Sequence, residues 1–277
     1  MNDYTPKTNS AEWHITYKCD LNCANCNRFC FLPPTTKDMT LDDARLFVSQ
    51  CKELNWSPKI VLMGGEPTLH KDIFEFVEIA KEITDDIEIY SNCFRPQSKP
   101  ILRKLKKLGV KSPEWAYKPN GDVPLQNQNQ MLAPIDFGVK NHGPCDWHSS
   151  RYYKDIGWNC GISVDSEGYS VCIVGGAVDG LLDLNLRTKD LKKIFDKKFA
   201  EYQTHELCNN CGACFDVNEQ DKNHSIPDEV NQFIDKVSSV RGALVSPKYK
   251  QAIEDKFGKS FLKEDWESPT KSKNTLM

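Results

Sequence analysis

Cys19-Asp20-Leu21-Asn22-Cys23-Ala24-Asn25-Cys26 is the stretch that decides the fold, and it follows the alternating run Trp13-His14-Ile15-Thr16-Tyr17. Alternation of apolar and polar residues predicts a β-strand that leads into a cysteine loop. The CxxxCxxC spacing keeps three sulfurs on one compact loop, within reach of one cubane iron–sulfur cluster. Three thiolates bind three irons and leave the fourth iron open to another molecule. The alternative is a structural zinc site, although such sites favour CxxC pairs partnered by a second CxxC or a histidine pair.

A predicted strand followed by a predicted helix occurs three times in the first part of the chain, with short connections between the elements. The predicted strands cover residues 13–17, 59–63 and 87–90, and the predicted helices begin at Thr40 and Asp72 and cover 101–108. This order predicts parallel strands with right-handed crossovers, in an α/β fold. In a (β/α) barrel the chemistry sits on the loops that follow the strands, and the cysteine loop is one of these.

The second half of the chain gives a weaker pattern. Residues 115–117 are a candidate fourth strand, 161–165 and 169–173 predict a β-hairpin, and 191–202 predicts a helix. A further amphipathic helix is predicted to start near Pro227, and the residues from about Glu264 onward are polar.

Bulk composition excludes several classes of protein. The 277 residues carry 36 basic and 39 acidic side chains, for a formal net charge of −3, which argues against nucleic acid as a partner. No stretch approaches the ~20 apolar residues of a membrane span, and the first residues do not resemble a signal peptide. We therefore expect a cytoplasmic protein without a membrane partner. In that reducing compartment the 12 cysteines indicate metal binding or catalysis rather than disulfides.

The cysteine loop together with Gly64-Gly65-Glu66-Pro67 resembles the signature of the radical S-adenosylmethionine (SAM) enzymes. The resemblance implies that Cys19, Cys23 and Cys26 hold a 4Fe–4S cluster, and that SAM chelates the open iron of this cluster. It also implies a partial (β/α)6 TIM-like barrel, in which the GGEP segment contacts the methionine amino group of SAM.

Three further residues are assigned to SAM binding by the same resemblance. Ser91 and Asn92 stand where the family often carries a polar pair that faces SAM. Asn25 stands where the family usually has an aromatic residue that meets the adenine. Phe29 and Phe31 are the alternative stacking partners.

A second group of cysteines follows the predicted hairpin and helix. Cys160, Cys172, Cys208 and Cys211 resemble the ligands of the twitch subdomain, a shortened relative of SPASM that holds one auxiliary 4Fe–4S cluster. Alternatives remain open, because Cys214 competes for one position and Cys145 for that of Cys160. A four-cysteine zinc site is the structural alternative.

These resemblances imply an organisation and a function. The expected parts are a flexible N-terminus at 1–10, the partial barrel at 11–143, a small β-hairpin/helix iron–sulfur subdomain at 144–215, C-terminal helices at 216–263 and a polar tail at 264–277. The implied enzyme cleaves SAM reductively and takes its electron from a flavodoxin- or ferredoxin-type donor. Since only about ten residues precede the first strand, we favour a small-molecule substrate of the sugar, aminocyclitol or nucleotide type over a peptide. A non-catalytic iron–sulfur or zinc module is the alternative from another class.

Overall fold

A parallel-dominated sheet lies at the centre of the computed structural model, which describes residues 8–23, 26–118, 130–139, 161–215, 234–240 and 243–262. Its strands are β1 (Ser10–Thr16), β2 (Lys59–Gly64), β3 (Ile87–Ile89), β4 (Ile162–Asp165) and β5 (Gly168–Ser170), in the spatial order β3-β2-β1-β4-β5. Only the β4–β5 pair is antiparallel. The α/β class is therefore confirmed, whereas closure into a (β/α)6 barrel stays a prediction.

Helices cover this sheet and continue beyond it. Those in the described residues are α1 (Leu41–Glu53), α2 (Ile73–Ala80), α3 (Ser98–Lys107), α4 (Gly175–Leu182), α5 (Leu191–Ile194), α6 (Lys197–Asn209) and α7 (Pro247–Phe257). A two-stranded antiparallel sheet, β6 (Ser238–Val240) with β7 (Ala243–Val245), precedes α7. No helix in the described ranges is long and apolar enough to cross a membrane.

The core forms where β1 meets the first two helices. The buried Trp13 ring makes edge-on contacts with Phe47 of α1 at 5.7 Å and with Phe76 of α2 at 6.2 Å between centroids. Such aromatic pairs contribute about 0.5–1.5 kcal/mol each beyond the area that they bury. The packing fixes β1 between its neighbours and so fixes the point at which the cysteine loop leaves the sheet.

The N-terminal ends of α1 and α2 are formed differently. Thr40 caps α1 through a complete capping box with Asp43, as predicted. Asp72 precedes α2 but its side chain makes no capping hydrogen bond. Its backbone (φ −99°, ψ 27°) is not in the extended conformation that an N-cap normally adopts.

Two predicted elements take another form. The candidate strand at 115–117 is wrong, because Glu114–Ala116 is a short 3₁₀ turn that follows Pro113. Lys111 instead exchanges backbone hydrogen bonds with β3. The predicted helix at 191–202 is two helices, since Asp196 interrupts the run and caps α6 by accepting a hydrogen bond from the Phe199 N–H.

The hairpin β4–β5 is continuous with the central sheet. β4 runs parallel to β1, with Ala11 opposite Ile162 and Trp13 opposite Val164. Sequence analysis assigned this hairpin to the C-terminal subdomain, and its attachment to β1 was not foreseen. The reason is physical: β1 is buried along its length, so both of its edges need a hydrogen-bonded neighbour. The helix predicted near Pro227 lies outside the described residues.

Candidate active site and cofactor loops

The two glycines of the GGEP segment hold the end of β2 against the root of the cysteine loop. A Cβ on Gly64 would lie 2.0 Å from the Thr16 carbonyl oxygen, and one on Gly65 would lie 2.1 Å from the Lys18 oxygen. Gly64 also has a φ of +126°, a conformation that glycine tolerates best. The N–H groups of Gly65 and Glu66 donate to the Thr16 and Lys18 carbonyls at 2.7 and 2.8 Å. No larger residue fits this approach without moving the backbone beside Cys19.

The Glu66 carboxylate ties the GGEP segment to the loop after β3. It is fully buried, and Oε1 accepts hydrogen bonds from the Thr68 N–H at 3.0 Å, the Thr68 hydroxyl and the Ser91 hydroxyl at 2.8 Å. Oε2 accepts from the Asn92 N–H at 2.7 Å. Burial raises the pKa of Glu66, although these hydrogen bonds oppose the shift. The resemblance implies that the GGEP segment contacts the SAM amino group; in the structure this carboxylate accepts hydrogen bonds from its own chain.

Asn92 extends this network to the cysteine loop. Its side-chain amide donates to Asp20 Oδ1 at 2.7 Å and lies 3.7 Å from Cys19 Sγ. Arg95 forms an ion pair with the other Asp20 oxygen at 3.2 Å. The three loops that follow β1, β2 and β3 therefore meet at one end of the sheet, as the parallel order predicted.

The thiols of the cysteine loop differ in acidity. Burial raises the pKa of Cys19 well above its usual value and that of Cys23 to about 12. Hydrogen bonds from the Cys30 thiol and from nearby backbone N–H groups lower the pKa of Cys26. Metal ligands must be deprotonated, so binding of a cluster here would release protons.

Cys30, the fourth cysteine of this region, is directed into the protein. It is 3% exposed, and its thiol donates to the Arg28 and Gly64 carbonyl oxygens at 3.6 and 3.8 Å. It also belongs to the hydrophobic core cluster. This environment is that of a buried structural cysteine. Phe29 and Phe31 lie in the same core, and the Phe29 ring packs against Tyr249.

Two buried polar atoms, one in the cysteine loop and one just after it, have neither a hydrogen-bond partner nor an ion-pair partner among the described residues. They are Asn22 Oδ1 and Arg28 Nε. Buried polar groups are normally paired, so these atoms mark a place where the chain presents hydrogen-bonding capacity to another group. No three histidine, cysteine or carboxylate side chains in the described ranges are gathered tightly enough for a single metal ion. In a cubane cluster each cysteine binds a different iron, so the thiols can lie farther apart than the ligands of a single metal ion.

The second cysteine group lines one internal cavity. Cys172 follows β5, Cys208 lies in the last turn of α6, and Cys211 follows that helix; all three line the cavity. The remaining wall is almost entirely hydrocarbon, from Val171, Val174, Val178, Leu207 and Ala213. The N-terminal end of α4 also faces the cavity through Gly175, and a helix N-terminus favours negative charge. The residues present therefore fit a thiolate-ligated cluster.

Gln203 fixes the two walls of this cavity relative to each other. Its side-chain oxygen accepts from the Val171 N–H at 2.7 Å, and its amide donates to the Leu186 carbonyl at 2.7 Å. Val171 is the residue before Cys172, so α6 holds that cysteine at a set distance from Cys208. Sequence analysis did not single out Gln203, because a lone glutamine in a helix gives no pattern.

Tyr249 of α7 links the two cysteine groups. Its ring packs edge-on against Phe29, three residues after Cys26, with 5.8 Å between centroids. Its hydroxyl donates to the carbonyl of Asn210 at 2.5 Å, between Cys208 and Cys211. Helix α7 therefore contacts the loops of both groups, which the sequence did not indicate.

A buried chain of polar side chains runs along the sheet face opposite the Trp13 cluster. His14 contacts the Tyr17 hydroxyl at 3.0 Å, and Tyr17 donates to Asp165 at 3.0 Å. Arg187 pairs with Asp165 at 2.9 Å and with Asp179 at 2.6 Å. Buried charges are tolerated when they are paired in this way, and these pairs join β1 to β4 and α4. Alternation in the first strand placed His14 on this face, but Asp165, Asp179 and Arg187 come from a distant part of the chain.

Several predicted site residues lie outside the described part of the chain. Asn25, Cys145 and Cys160 are among them, and the side chain of Cys214 is not described. Their assignments remain predictions.

Residues 13–114 match the family model of the radical SAM superfamily. The match supports a radical SAM domain in this part of the chain. It runs from β1 to the turn after α3 and includes both the cysteine loop and the GGEP segment. The superfamily implies a 4Fe–4S cluster and SAM as cofactors, and its members that match this chain are enzymes.

Curated relatives match parts of the chain. The chain is 27% identical over 100 residues to the AdoMet-dependent heme synthase of Methanosarcina barkeri, covering 35% of this chain and 28% of that protein. It is 26% identical over 124 residues to the 7,8-dihydro-6-hydroxymethylpterin dimethyltransferase of Methanocaldococcus jannaschii, covering 44% and 24%. It is 32% identical over 78 residues to the PqqA peptide cyclase of Bradyrhizobium diazoefficiens, covering 28% and 19%. The chain thus spans less than a third of the length of these relatives.

A solved structure resembles most of the chain in its fold. The crystal structure of BtrN in complex with AdoMet and 2-DOIA superposes with a TM-score of 0.51 at 17% identity, covering 79% of this chain and 97% of BtrN. At this identity the likeness concerns the fold alone.

Proposed function

We propose that this protein is a radical SAM enzyme in which Cys19, Cys23 and Cys26 hold the SAM-binding 4Fe–4S cluster. The observation that carries the proposal is the contact between three loops: GGEP is hydrogen-bonded to the root of the cysteine loop, and Glu66 and Asn92 join both to the loop after β3. This convergence fits a site built for one cofactor and one cosubstrate at the end of parallel strands.

When bound, the cluster supplies one electron for cleavage of SAM to methionine and a 5′-deoxyadenosyl radical, which abstracts hydrogen from the substrate. The chain's own groups position and shield this chemistry. Gly64 and Gly65 hold the end of β2 against the root of the cysteine loop and so fix the backbone at this point. Glu66 acts through Ser91 and Asn92 and keeps the β3 loop in place. Asn92 holds Asp20 and reaches Cys19.

We also propose that the second cysteine group holds an auxiliary 4Fe–4S cluster. Cys172, Cys208 and Cys211 face one hydrocarbon-walled cavity, and Cys160 or Cys145 and Cys214 are the candidates for a fourth ligand. The cavity wall is mostly hydrocarbon and includes a helix N-terminus, and the positive end of the helix dipole suits a negatively charged cluster. Tyr249, which touches the loops of both cysteine groups, supports a functional link between the clusters.

The proposed substrate is a small molecule, and the proposed electron donor is a flavodoxin- or ferredoxin-type protein. The similar proteins include a heme synthase, a pterin dimethyltransferase and a GTP 3′,8-cyclase, and BtrN was crystallised with AdoMet and 2-DOIA. Peptide maturation is the second candidate, and the match to a PqqA peptide cyclase favours it. Deuterium transfer from labelled candidates into 5′-deoxyadenosine would distinguish these substrates.

The function is tested by anaerobic reconstitution with iron and sulfide, followed by addition of dithionite and SAM. We expect formation of 5′-deoxyadenosine and methionine, measured by liquid chromatography, together with about eight irons per chain for two cubane clusters. An electron carrier or a zinc module would yield neither product above the protein-free control. That result would contradict the proposal, whatever the iron content.

A further inference from the structure

A groove beside α3 is lined by cationic side chains. It has a volume of about 880 Å³ and lies between α3 and the residues 109–117 that follow this helix. Lys99, Arg103 and Lys106 line it from α3, and all three residues are exposed. They are spaced by four and three residues, so they lie on one face of the helix, and we call them the groove cations. Ligand pockets in proteins commonly enclose about 300–1,000 Å³, so the groove has the size of a small-molecule site.

The charge of the groove cations is not neutralised by the described part of the chain. None of the three forms an ion pair with a described residue. A further lysine of the lining, Lys111, is paired with Asp86 at 2.8 Å. Glu114 is the one carboxylate among the described lining residues. Like charges around one groove repel one another, so an anion with more than one negative charge is attracted to it.

The base of the groove is apolar. Leu102 and Val110 are buried in the core and also line the groove, and the half-buried Tyr117 adds an aromatic ring. The Tyr117 hydroxyl is engaged with the Ser112 hydroxyl at 3.0 Å. An apolar base below exposed cations suits a ligand that combines an apolar ring with phosphate groups. Arginine binds phosphate oxygens through its forked donors, and lysine binds them through its point charge.

Cys93 connects this groove to the candidate active site. It lines the groove and directly follows Asn92, the residue that reaches Asp20 and Cys19. The Cys93 N–H donates to the Ser91 hydroxyl at 3.0 Å. The loop after β3 therefore contributes to both places, although none of the described lining residues of the groove is assigned to SAM or to a cluster.

We propose that this groove is a small-molecule site separate from the SAM site, and that it binds a nucleoside phosphate or another phosphate ester with an apolar ring. The phosphate groups lie among the groove cations, and the ring covers the apolar base. The inference goes beyond the proposed function and requires neither cluster, because the groove is built from α3 and the residues around it.

The test is isothermal titration calorimetry of the anaerobically reconstituted protein at constant ionic strength, with ATP as the probe. A double variant, Arg103→Gln with Lys106→Gln, removes two groove cations. The matched control, Lys104→Gln with Lys107→Gln, removes the same charge from exposed positions of α3 that are not in the lining. We expect the Kd for ATP to rise on the order of tenfold to hundredfold in the first variant and by less than about threefold in the control. Circular dichroism checks that both variants fold.

Two further probes test the two parts of the ligand. Adenosine lacks phosphate groups and should bind about tenfold more weakly than ATP or worse. Inorganic pyrophosphate leaves the apolar base uncovered and should also bind about tenfold more weakly.

Three outcomes would overturn the inference. The first is no binding of ATP at millimolar concentration. The second is an equal loss of affinity in the two double variants, which would mean a general attraction to a positive surface. The third is binding of adenosine or pyrophosphate as tight as that of ATP. The proposed function has its own readout, because 5′-deoxyadenosine formation is measured without ATP, so failure of one proposal is distinguishable from failure of the other.

Discussion

Replacement of Cys23 by alanine is expected to abolish SAM cleavage while the fold is retained. Cys23 lies on the loop between Cys19 and Cys26, and its loss leaves two thiolates for a cluster that needs three. Iron content should fall from about eight to about four per chain, because the auxiliary cluster does not depend on this loop. Formation of 5′-deoxyadenosine should fall to the level of a protein-free control, since the cofactor supplies the chemistry.

Two other cysteines serve as matched controls. Cys51 is fully buried in α1, away from the site, so Cys51→Ala should lower stability but keep both the iron and the activity. Cys30 lies beside Cys26 but belongs to the core, so Cys30→Ala should keep the SAM-binding cluster as well. Full iron content and activity in Cys23→Ala would contradict the ligand assignment. Loss of the SAM-binding cluster in Cys30→Ala would indicate that Cys30 is a ligand.

The second large effect is expected from Gly65→Ala. The added Cβ would lie 2.1 Å from the Lys18 carbonyl oxygen, and both atoms are fixed to backbone, so the end of β2 must move away from the cysteine loop. Overpacking of this kind costs about 1–3 kcal/mol. We expect a lower free energy of unfolding, weaker SAM binding and partial loss of the SAM-binding cluster, measured by denaturant titration, calorimetry and iron analysis.

Gly109→Ala controls for loss of stability as such. Gly109 follows α3 with a φ of +86°, so alanine is strained there by roughly 1 kcal/mol, but the new Cβ meets no atom within 4 Å. Its stability should fall while SAM affinity and iron content stay at the wild-type level. If Gly65→Ala matched Gly109→Ala in all three measurements, the close contact with Lys18 would have no role in the site.

Local sequence signals predicted the part of the fold that supports the first site. The apolar run of β2, the capping box of α1 and the alternation in β1 each arise from neighbouring residues, and each was found in the structure. The location of the site could be predicted from this fold, because the loops that follow parallel strands meet at one end of the sheet. Motif spacing placed the cysteine loop and the GGEP segment there without knowledge of distant contacts.

The features that the sequence did not reveal depend on residues far apart in the chain. β4 pairs with β1 across about 150 residues of sequence separation, and such pairing has no local pattern. The donors that occupy Glu66 come from Thr68, Ser91 and Asn92, so its buried role depends on how the β3 loop packs. Tyr249 is one aromatic residue in an amphipathic helix, and only the fold brings it to Asn210.

The central claim is that the cluster held by Cys19, Cys23 and Cys26 has an iron without a protein ligand, which SAM chelates. The most direct measurement is electron–nuclear double resonance of the reduced enzyme with SAM labelled by ¹⁵N in the amino group and ¹⁷O in the carboxylate. We predict hyperfine coupling from both labels to the cluster, and loss of both couplings in Cys23→Ala. A reduced cluster in the wild-type protein that shows coupling to neither label would contradict the account.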